Sequence, residues 1–397
     1  MTCSSSLSGG SALKCGYSVE IAELLLQYFN SARLSSILDS LRRPSKWYSF
    51  RVNTLKVDPE RLMSILEDEG LSVRQHPKIE EALLVEVEGP FEIPAAEKVV
   101  VADKYAAESV MQGAQLYAPG VLSAAGVDRG DEVLVVDELG HPVAVGIAVM
   151  SGVEMEEKSF GLAVKITRSL YRSVSLRELE AYSSGLIYEQ SIPAMLTSLV
   201  LSPCPGEVVV DMCAAPGGKT SHIAQLMGNS GRIFAFDSSK SRLSKLVENM
   251  RRLGVKNVTA IVGDSRYIHK DYPNLRADRV LIDPPCSALG VRPKLFERRS
   301  RRDVISCSNY QRQFFEPAVE LVKPGGVIVY STCTLTAEEN EMIVNYVLEN
   351  YPLELDDQPV YLGCPGLPLI SKFSLVQRFY PDVHDAPGYF IARFIKP

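Results

Sequence analysis

The stretch VVVDMCAAPGGKT, residues 208–220, decides the fold, because a short apolar run is followed at once by a glycine turn and a helical pattern. Strand, turn and helix in this order open a sheet of the α/β class. Four more short apolar runs bounded by helical patterns follow it: RIFAFD (232–237), VTAIVGD (258–264), RVLID (279–283) and VIVYS (327–331). This alternation predicts a parallel sheet covered by helices on both faces.

Two segments with different sequence patterns precede this region. Residues 95–172 hold short apolar strands punctuated by turns, which predicts a small β-barrel. Residues 1–94 mix helical patterns, at 19–29 and 59–70, with a strand or two and the segment FRVNTLK (50–56). We therefore expect an α+β domain at 1–94, a barrel at 95–172 and an α/β domain at 173–397. The last run, GYFIARFIK (388–396), alternates and is expected to be an edge strand.

Bulk composition excludes several classes of protein. The chain has 397 residues, of which 46% are hydrophobic and 23% charged, and a net charge of −6, as expected for a globular protein of more than one domain. No apolar run reaches about 18 residues, so we expect no membrane span, and the opening MTCSSSLSGG does not resemble a signal peptide. The eight cysteines lack C-x-x-C spacing and the five histidines form no ligand cluster. We expect reduced thiols, no bound metal and a cytoplasmic location.

Acidic residues stand at the ends of consecutive predicted strands, where an open parallel sheet binds its ligands. The glycines of DMCAAPGGKT allow close approach of a ligand to the backbone, although a turn needed only for packing is the alternative. Asp237 lies roughly 20 residues beyond Gly217, the usual place of an acid that binds ribose hydroxyls, and Asp264 and Asp283 end the next two strands. A phosphate-loop pattern is absent, so the arrangement favours S-adenosylmethionine, which has adenosine but no phosphates.

Two cysteines follow two strands of the same predicted sheet, Cys286 in DPPC and Cys333 in YSTC. A lone cysteine is more often a small buried hydrophobic residue, but two at such strand ends favour a chemical role. Nearby positive charge would activate a thiol there, with Lys219 and the next helix as sources. TAEE (336–339) has capping-box spacing, so we expect that helix to start at Thr336.

At this point the motifs DMCAAPGGKT, DPPCSALGVRP and YSTCTLTAEENE resemble the three signatures of the Sun-type (Fmu/Nop) RNA cytosine-5 methyltransferases. The likeness covers about 173–397 and, through FRVNTLK, part of the N-terminal segment. One departure is Ala288, where many members have glycine. Residues 95–172, with GAQLYAPGVL, look like a PUA domain, and a PUA domain before the catalytic domain is similar to the tRNA-modifying branch of the family.

The resemblance implies a Rossmann-like class I methyltransferase domain, preceded by a small β-barrel PUA domain and an α+β N-terminal domain. The implied target is a cytosine near the 3′ end of the tRNA acceptor stem. Cys333 would attack carbon 6 of cytosine, Asp283 would bind ring nitrogen 3, Cys286 would assist release and Lys219 would lie near the nucleophile and the base. The residues implied to contact the cofactor are Cys213, Ala214, Ala215, Pro216, Gly217, Gly218, Lys219, Asp237, Asp264 and Asp283.

For RNA contact we predict Tyr117, Lys104 and the basic run RPKLFERRSRR, which begins at Arg292. A packed loop aromatic and a solvated helix face are the alternatives for Tyr117 and for the basic run. The leading hypothesis is a monomeric, S-adenosylmethionine-dependent tRNA cytosine-5 methyltransferase. The alternatives are a ribosomal RNA enzyme, a DNA enzyme with Cys286 as nucleophile, and a catalytically silent RNA-binding factor.

Overall fold

The structure, a computed structural model, describes residues 16–397. The opening stretch on which the signal-peptide prediction depends, together with Cys3 and Cys15, lies outside these residues. The N-terminal elements are α1 (Val19–Leu26), α2 (Ser31–Leu41), β1 (Trp47–Val52), α3 (Pro59–Asp68), β2 (Arg74–His76) and β3 (Ile79–Glu86). Each of these helices begins at a polar residue whose side chain accepts a hydrogen bond from the first turn: Ser18, Asn30 and Asp58.

The predicted β-rich module is confirmed as a sheet of its own. Its elements are β4 (Lys98–Ala102), α4 (Lys104–Val110), β5 (Leu116–Tyr117), β6 (Val121–Ser123), β7 (Glu132–Val136), β8 (Pro142–Ala148), α5 (Gly152–Glu157) and β9 (Leu162–Ser169). The six strands pair in the order β5-β9-β8-β7-β4-β6, and β4 runs parallel to β7 while the other neighbours are antiparallel. Small aliphatic side chains, such as Val100, Val133 and Val143, fill its core.

The remaining elements build the third sheet and its helices. They are α6 (Glu180–Ser183), β10 (Ile187–Glu189), α7 (Ile192–Leu201), β11 (Val208–Asp211), α8 (Gly218–Leu226), β12 (Arg232–Asp237), α9 (Lys240–Leu253), β13 (Val258–Val262), α10 (Ile268–Asp271), β14 (Ala277–Ile282), α11 (Arg301–Arg312), α12 (Phe315–Leu321), β15 (Val322–Thr332), α13 (Glu341–Asn350), β16 (Glu354–Leu355), β17 (Cys364–Pro365), β18 (Gln377–Phe379), α14 (Pro381–His384) and β19 (Tyr389–Ile395). No helix within 16–397 is long and apolar enough to cross a membrane.

The third sheet has the order β13-β12-β11-β14-β15-β19-β18-β17, with β16 paired to β19. Its first five strands are parallel, and the strand order reverses between β11 and β14, where ligands bind in such sheets. Alternate residues of the central strands face opposite cores. Val280 and Ile328 pack into one cluster, whereas Leu281 and Val329 pack into another. The predicted parallel sheet with two covered faces is therefore confirmed.

The prediction of an edge strand at the C-terminus is wrong. Strand β19 pairs antiparallel with β15 on one side and with β18 on the other. The strands that pair with its second side, β16 and β18, are only two and three residues long, which is too short for alternation to reveal in the sequence.

The first sheet has the order β10-β1-β3-β2, so its outer strand comes from beyond the second sheet. Phe50 of β1 pairs with Glu189 of β10, and Arg51 pairs with Tyr188. The chain therefore leaves the first sheet, builds the second and returns to complete the first. The boundaries expected at 94/95 and 172/173 stay a prediction.

Candidate active site

The two predicted cysteines lie side by side at the carboxyl ends of neighbouring parallel strands. Cys286 follows β14 and Cys333 follows β15, and their sulfur atoms are 3.3 Å apart. A hydrogen bond of 2.7 Å between the hydroxyls of Ser287 and Thr334 joins the two loops one residue further on. Parallel pairing of β14 with β15 thus brings together two thiols that lie far apart in the sequence.

The two thiols differ in acidity. The hydrogen bond with Cys286 lowers the pKa of Cys333 below its ordinary value, and the charge of Lys219 acts in the same direction against burial and Asp283. The same hydrogen bond, together with burial, raises the pKa of Cys286 well above its ordinary value. Cys333 is therefore the sulfur that ionises first, and a thiolate is the nucleophilic form of cysteine.

Asp283 is the centre of a polar cluster beside the cysteines. Its Oδ2 lies 2.6 Å from Lys219 Nζ, and its Oδ1 accepts hydrogen bonds from Ser331 Oγ at 2.7 Å and from Tyr389 Oη at 3.3 Å. Burial opposes the charge of Lys219, but the attraction of Asp283 outweighs it and raises the pKa of Lys219. The sequence reasoning missed Ser331 and Tyr389. Ser331 stands within a quoted motif, whereas nothing marks Tyr389.

The helix after Cys333 does not begin where the capping box predicts. Helix α13 starts at Glu341, and the Thr336 hydroxyl donates to Glu339 Oε1 at 3.0 Å instead of capping a helix. Glu339 Oε2 accepts from Ser287 N at 2.8 Å and from Gln311 Nε2 at 2.9 Å. The predicted capping box is wrong because this fully buried carboxylate ties the Cys286 loop to the Cys333 loop.

A cavity of about 280 Å³ opens beside the cysteine pair. Besides Cys286 and Cys333, it is lined by five of the residues implied to contact the cofactor: Cys213, Ala215, Asp237, Asp264 and Asp283. A second cavity of about 250 Å³ lies along the glycine turn and shares Asp283; it is lined by the predicted residues Ala214, Pro216, Gly218 and Lys219. All the predicted cofactor residues except Gly217 thus line one of two adjoining cavities.

Gly217 has a packing role that the sequence left open. Its φ is +104°, and a Cβ atom there would lie 2.9 Å from Met250 Cε and 3.2 Å from Leu246 Cγ. The positive φ would therefore strain any other residue here, and its side chain would press on two side chains of α9. At Gly218 a Cβ atom would lie 3.1 Å from the Tyr188 ring, so the turn packs closely against both neighbours.

The two acids predicted to hold the cofactor already have partners in the protein. Asp237 is buried and accepts hydrogen bonds from Ala215 N at 3.2 Å and Ser239 N at 2.9 Å. Asp264 is paired with the guanidinium of Arg266, whose hydrogen bonds lower the pKa of Asp264. Arg242, which lines the cavity, lies 3.5 Å from Asp237. Asp237 therefore compensates the positive charge of Arg242. Because no free cation is left there among the described residues to bind phosphate, the cavity suits a ligand without phosphates.

Aromatic residues that the sequence reasoning missed form part of the cavity wall. Tyr310, in α11, and Phe314 line it, with ring centroids 5.2 Å apart in an edge-to-face arrangement. Helical spacing alone does not distinguish these rings from ordinary core residues.

The predicted RNA contacts are placed in two kinds of environment. Tyr117 is 55% exposed, so its predicted role stays open. Lys104 forms an ion pair of 3.6 Å with Glu297, its side chain is only 14% exposed, and its ammonium lies 5.4 Å from the centre of the Phe296 ring. This placement argues against direct RNA contact by Lys104, because its charge is engaged by Glu297.

Arg292 is also engaged within the protein. Its side chain is 3% exposed, and its guanidinium donates to the carbonyl oxygens of Arg43 at 3.0 Å and Pro44 at 3.0 Å and to Asp385 at 3.2 Å. All three nitrogens of the guanidinium are engaged by acceptors within the protein, and an RNA contact by Arg292 stays a prediction. The exposed cations of the basic run are Arg298, Arg301 and Arg302.

The absence of a metal stays a prediction. Among residues 16–397, His269, Glu316 and Glu320 bring ligand atoms within 4.8 Å of one another, and none of the three lines the cavity beside the cysteines.

Comparison with known proteins agrees with this geometry. A family described as "16S rRNA methyltransferase RsmB/F" matches residues 198–395, and the PUA domain family matches residues 98–170. The "tRNA (cytosine(72)-C(5))-methyltransferase" of Pyrococcus horikoshii is 45% identical over 383 residues, which cover 95% of this chain and 96% of that protein. The human "tRNA (cytosine(72)-C(5))-methyltransferase NSUN6" is 30% identical over 444 residues, which cover 95% of this chain and 94% of that protein.

A solved structure, described as "The crystal structure of NSun6 from Pyrococcus horikoshii with SFG", superposes with a TM-score of 0.89 at 45% identity. It covers 96% of this chain, and the match spans 98% of that chain. The expected fold class, a methyltransferase domain with a PUA domain, is therefore confirmed. The chain belongs to the RsmB/F, or Sun-type, family of RNA methyltransferases, as a member with a PUA domain.

Proposed function

We propose that this protein is an S-adenosylmethionine-dependent tRNA (cytosine-5) methyltransferase that acts near the 3′ end of the acceptor stem. The observation that carries the proposal is the 3.3 Å approach of Cys286 and Cys333 in a cavity that also holds Asp283. The names of the two relatives support the target, because both are tRNA enzymes that act on cytosine 72 and both match along nearly their whole length.

Cytosine is too weak a nucleophile at carbon 5 to take a methyl group without prior activation. The Cys333 thiolate adds to carbon 6, a carbon–sulfur bond forms, and the electrons of the 5,6 double bond shift onto carbon 5 and towards nitrogen 3. Asp283 binds the edge that carries nitrogen 3, supporting protonation there, and Lys219 holds the carboxylate in place at 2.6 Å. After the methyl group is added, carbon 5 gives its proton to water, the electrons of that C–H bond re-form the 5,6 double bond, and the bond to Cys333 breaks with release of the thiolate. Cys286, 3.3 Å away, assists this release.

The cofactor supplies the electrophilic methyl group, and SFG, found with the similar Pyrococcus structure, is an analogue of S-adenosylmethionine. Asp237 and Asp264 would hold its hydroxyl and amino groups, and Tyr310 and Phe314 would cover the flat face of adenine. The backbone of residues 213–219 would form the floor of the site.

The RNA target and the surroundings of the protein follow from the same argument. The domain at 95–172 would bind the RNA beside the target cytosine, with Tyr117 as an exposed aromatic contact. The target base leaves its stack to reach Cys333, which costs least at the end of a helix. We also propose a monomer without a metal, in the cytoplasm. The free cysteines of the described residues, such as Cys204 and Cys307, support a reducing compartment.

Covalent trapping tests the nucleophile. Wild-type protein with S-adenosylmethionine and tRNA carrying 5-fluorocytosine at the target is expected to form an adduct that survives denaturing electrophoresis. Cys333→Ser should abolish the adduct, whereas Cys286→Ser should retain it. Loss of the adduct in Cys286→Ser alone would instead assign the nucleophile as in the DNA enzymes and overturn the mechanism. Bisulfite sequencing of tRNA from cells with and without the protein then identifies the cytosine.

A ribosomal RNA target is the second candidate, because the matching family is described as acting on 16S rRNA. Methylation of an acceptor-stem minihelix, compared with ribosomal RNA fragments, separates the two. Failure to methylate either RNA or to bind S-adenosylmethionine by calorimetry would leave a catalytically silent RNA-binding factor.

A further inference from the structure

Gln190 stands where the first sheet meets the active site. It follows β10 directly, is 8% exposed, and lines the 250 Å³ cavity that also contains Lys219 and Asp283. It also borders a cavity beside Trp47. Because it shares this cavity with the Lys219–Asp283 pair, we ask what its side-chain amide binds.

The amide is held in one orientation by Arg51. The guanidinium of Arg51 is fully buried and donates from Nη1 to Gln190 Oε1, and it also donates to Gly218 O at 2.8 Å and to Ser221 Oγ at 2.7 Å. Arginine has only donors, so the Gln190 atom that faces it must be the oxygen. The amide nitrogen is consequently the atom left for another partner.

That nitrogen is unsatisfied. Gln190 Nε2 is buried and has no hydrogen-bond partner among residues 16–397. An unpaired buried donor costs about 1–3 kcal/mol, and an acceptor that reaches Nε2 from the cavity through a small movement of the side chains around it would recover this energy. The acceptor has to be neutral or anionic and small enough to lie beside Lys219 and Asp283.

We propose that Gln190 is a substrate-binding residue whose Nε2 donates a hydrogen bond to the carbonyl oxygen O2 of the target cytosine. The inference rests on the proposed function. Cytosine presents O2 next to nitrogen 3, so a base whose nitrogen 3 edge lies at Asp283 carries its acceptor beside that carboxylate. When Cys333 adds to carbon 6, negative charge spreads over nitrogen 3 and O2. A donor at O2 therefore stabilises the adduct more than the free base.

This assignment gives the FRVNTLK segment a role in the reaction. Strand β1 supplies Arg51, and its partner β10 leads into Gln190. The first sheet therefore builds one wall of the substrate cavity, in addition to packing against α8. The second sheet is inserted in the chain between β3 and β10.

The test uses the full-length protein and two acceptor-stem RNAs, with cytidine or 2-thiocytidine at the target position. Sulfur is a weaker acceptor than oxygen, and the loss of one hydrogen bond of about 1 kcal/mol corresponds to about fivefold in rate. We expect wild-type protein to methylate the cytidine RNA about fivefold faster than the 2-thiocytidine RNA. Gln190→Glu keeps the acceptor for Arg51 and removes the donor. This variant should therefore methylate the two RNAs at nearly equal rates. Its kcat should be lower than that of wild-type protein, and its binding of S-adenosylmethionine should be unchanged.

Gln225→Glu is the matched control. Gln225 Oε1 also accepts a hydrogen bond from Arg51, at 3.2 Å, but Gln225 lines neither active-site cavity. The Gln225→Glu variant should therefore keep the wild-type preference for cytidine RNA over 2-thiocytidine RNA. Gln190→Met, which removes donor and acceptor together, should lose the preference like Gln190→Glu. If the Gln190 variants keep the wild-type preference, the assignment of Gln190 is overturned while the proposed function stands. If wild-type protein methylates neither RNA, the proposed function and the assignment of Gln190 both fail.

Discussion

Replacing Glu339 tests whether a single carboxylate holds the two cysteine loops together. Glu339 is fully buried and accepts hydrogen bonds from three groups: Ser287 N, Gln311 Nε2 and Thr336 Oγ1. Ser287 follows Cys286 directly, and Thr336 lies three residues beyond Cys333, so the carboxylate spans both loops. We predict that Glu339→Ala destabilises the fold and also weakens covalent trapping by Cys333.

The magnitude follows from the donors. A hydrogen bond to a charged acceptor contributes about 1.5–3 kcal/mol, and removal of the acceptor leaves buried donors unpaired. Removing the buried charge offsets part of this loss, so we expect Glu339→Ala to cost about 3–5 kcal/mol. Glu339→Gln should cost only about 1–2 kcal/mol. Its amide oxygen can still accept from Ser287 and Gln311, and its nitrogen can donate to the hydroxyl of Thr336.

The assay is urea unfolding followed by circular dichroism, with the free energy of unfolding taken from the midpoint and slope. Glu338→Gln is the control, because this buried neighbour has one oxygen on Tyr28 and another without a partner among the described residues. That variant should change the free energy of unfolding by less than about 1 kcal/mol. A Glu339→Ala variant as stable as Glu338→Gln would refute the view that this carboxylate holds the loops.

Three further predictions follow from individual groups. Cys286→Ala removes the hydrogen bond that lowers the pKa of Cys333, so the pH profile of Cys333 alkylation by iodoacetamide should move to higher pH; an unchanged profile would contradict this source of acidity. Burial raises the pKa of Asp211 to about 6, so the folded state binds its proton more tightly than the unfolded chain, and the stability that this provides is lost as pH rises between about 4 and 6. Asp211→Asn should flatten the pH dependence of the urea midpoint in that window, and an equally steep curve would argue against it. Ala288 has a φ of +55°, so Ala288→Gly should raise the free energy of unfolding by about 0.5–1 kcal/mol, whereas a loss of stability would show that the turn bears no strain.

The sequence was sufficient to predict the central strands and the meeting of two cysteines at their ends. Apolar runs between helices predict β11, β12 and β14 nearly to the residue, and neighbouring strand ends predict that Cys286 and Cys333 meet. That inference needs only parallel pairing, which the alternation of strand and helix implies.

The errors share one physical cause, which is that the deciding partner lies far away in the chain. TAEE has the spacing of a cap, but Glu339 is bound by Ser287 and Gln311. The surroundings of Arg292 are set in the same way, since acceptors at Arg43, Pro44 and Asp385 bind its guanidinium, and its RNA contact stays a prediction. Local spacing carries no information about such contacts. The proposed roles of Tyr389 and Gln190 likewise depend on residues that are distant in the sequence.

The return of the chain to β1 has a consequence for synthesis on the ribosome. The edge of β1 that pairs with β10 has no native partner until Glu189 has been translated, after the whole barrel has emerged. Until then the nascent chain presents an open strand edge, the feature that favours pairing with other chains. All of the barrel's core cluster except Leu295 and Phe296 comes from residues 100–171, so most of this core can form first. Its formation would bring the flanking segments close together and lower the entropy lost on closing the sheet. The wall of the proposed substrate cavity that the first sheet builds is therefore completed late in synthesis.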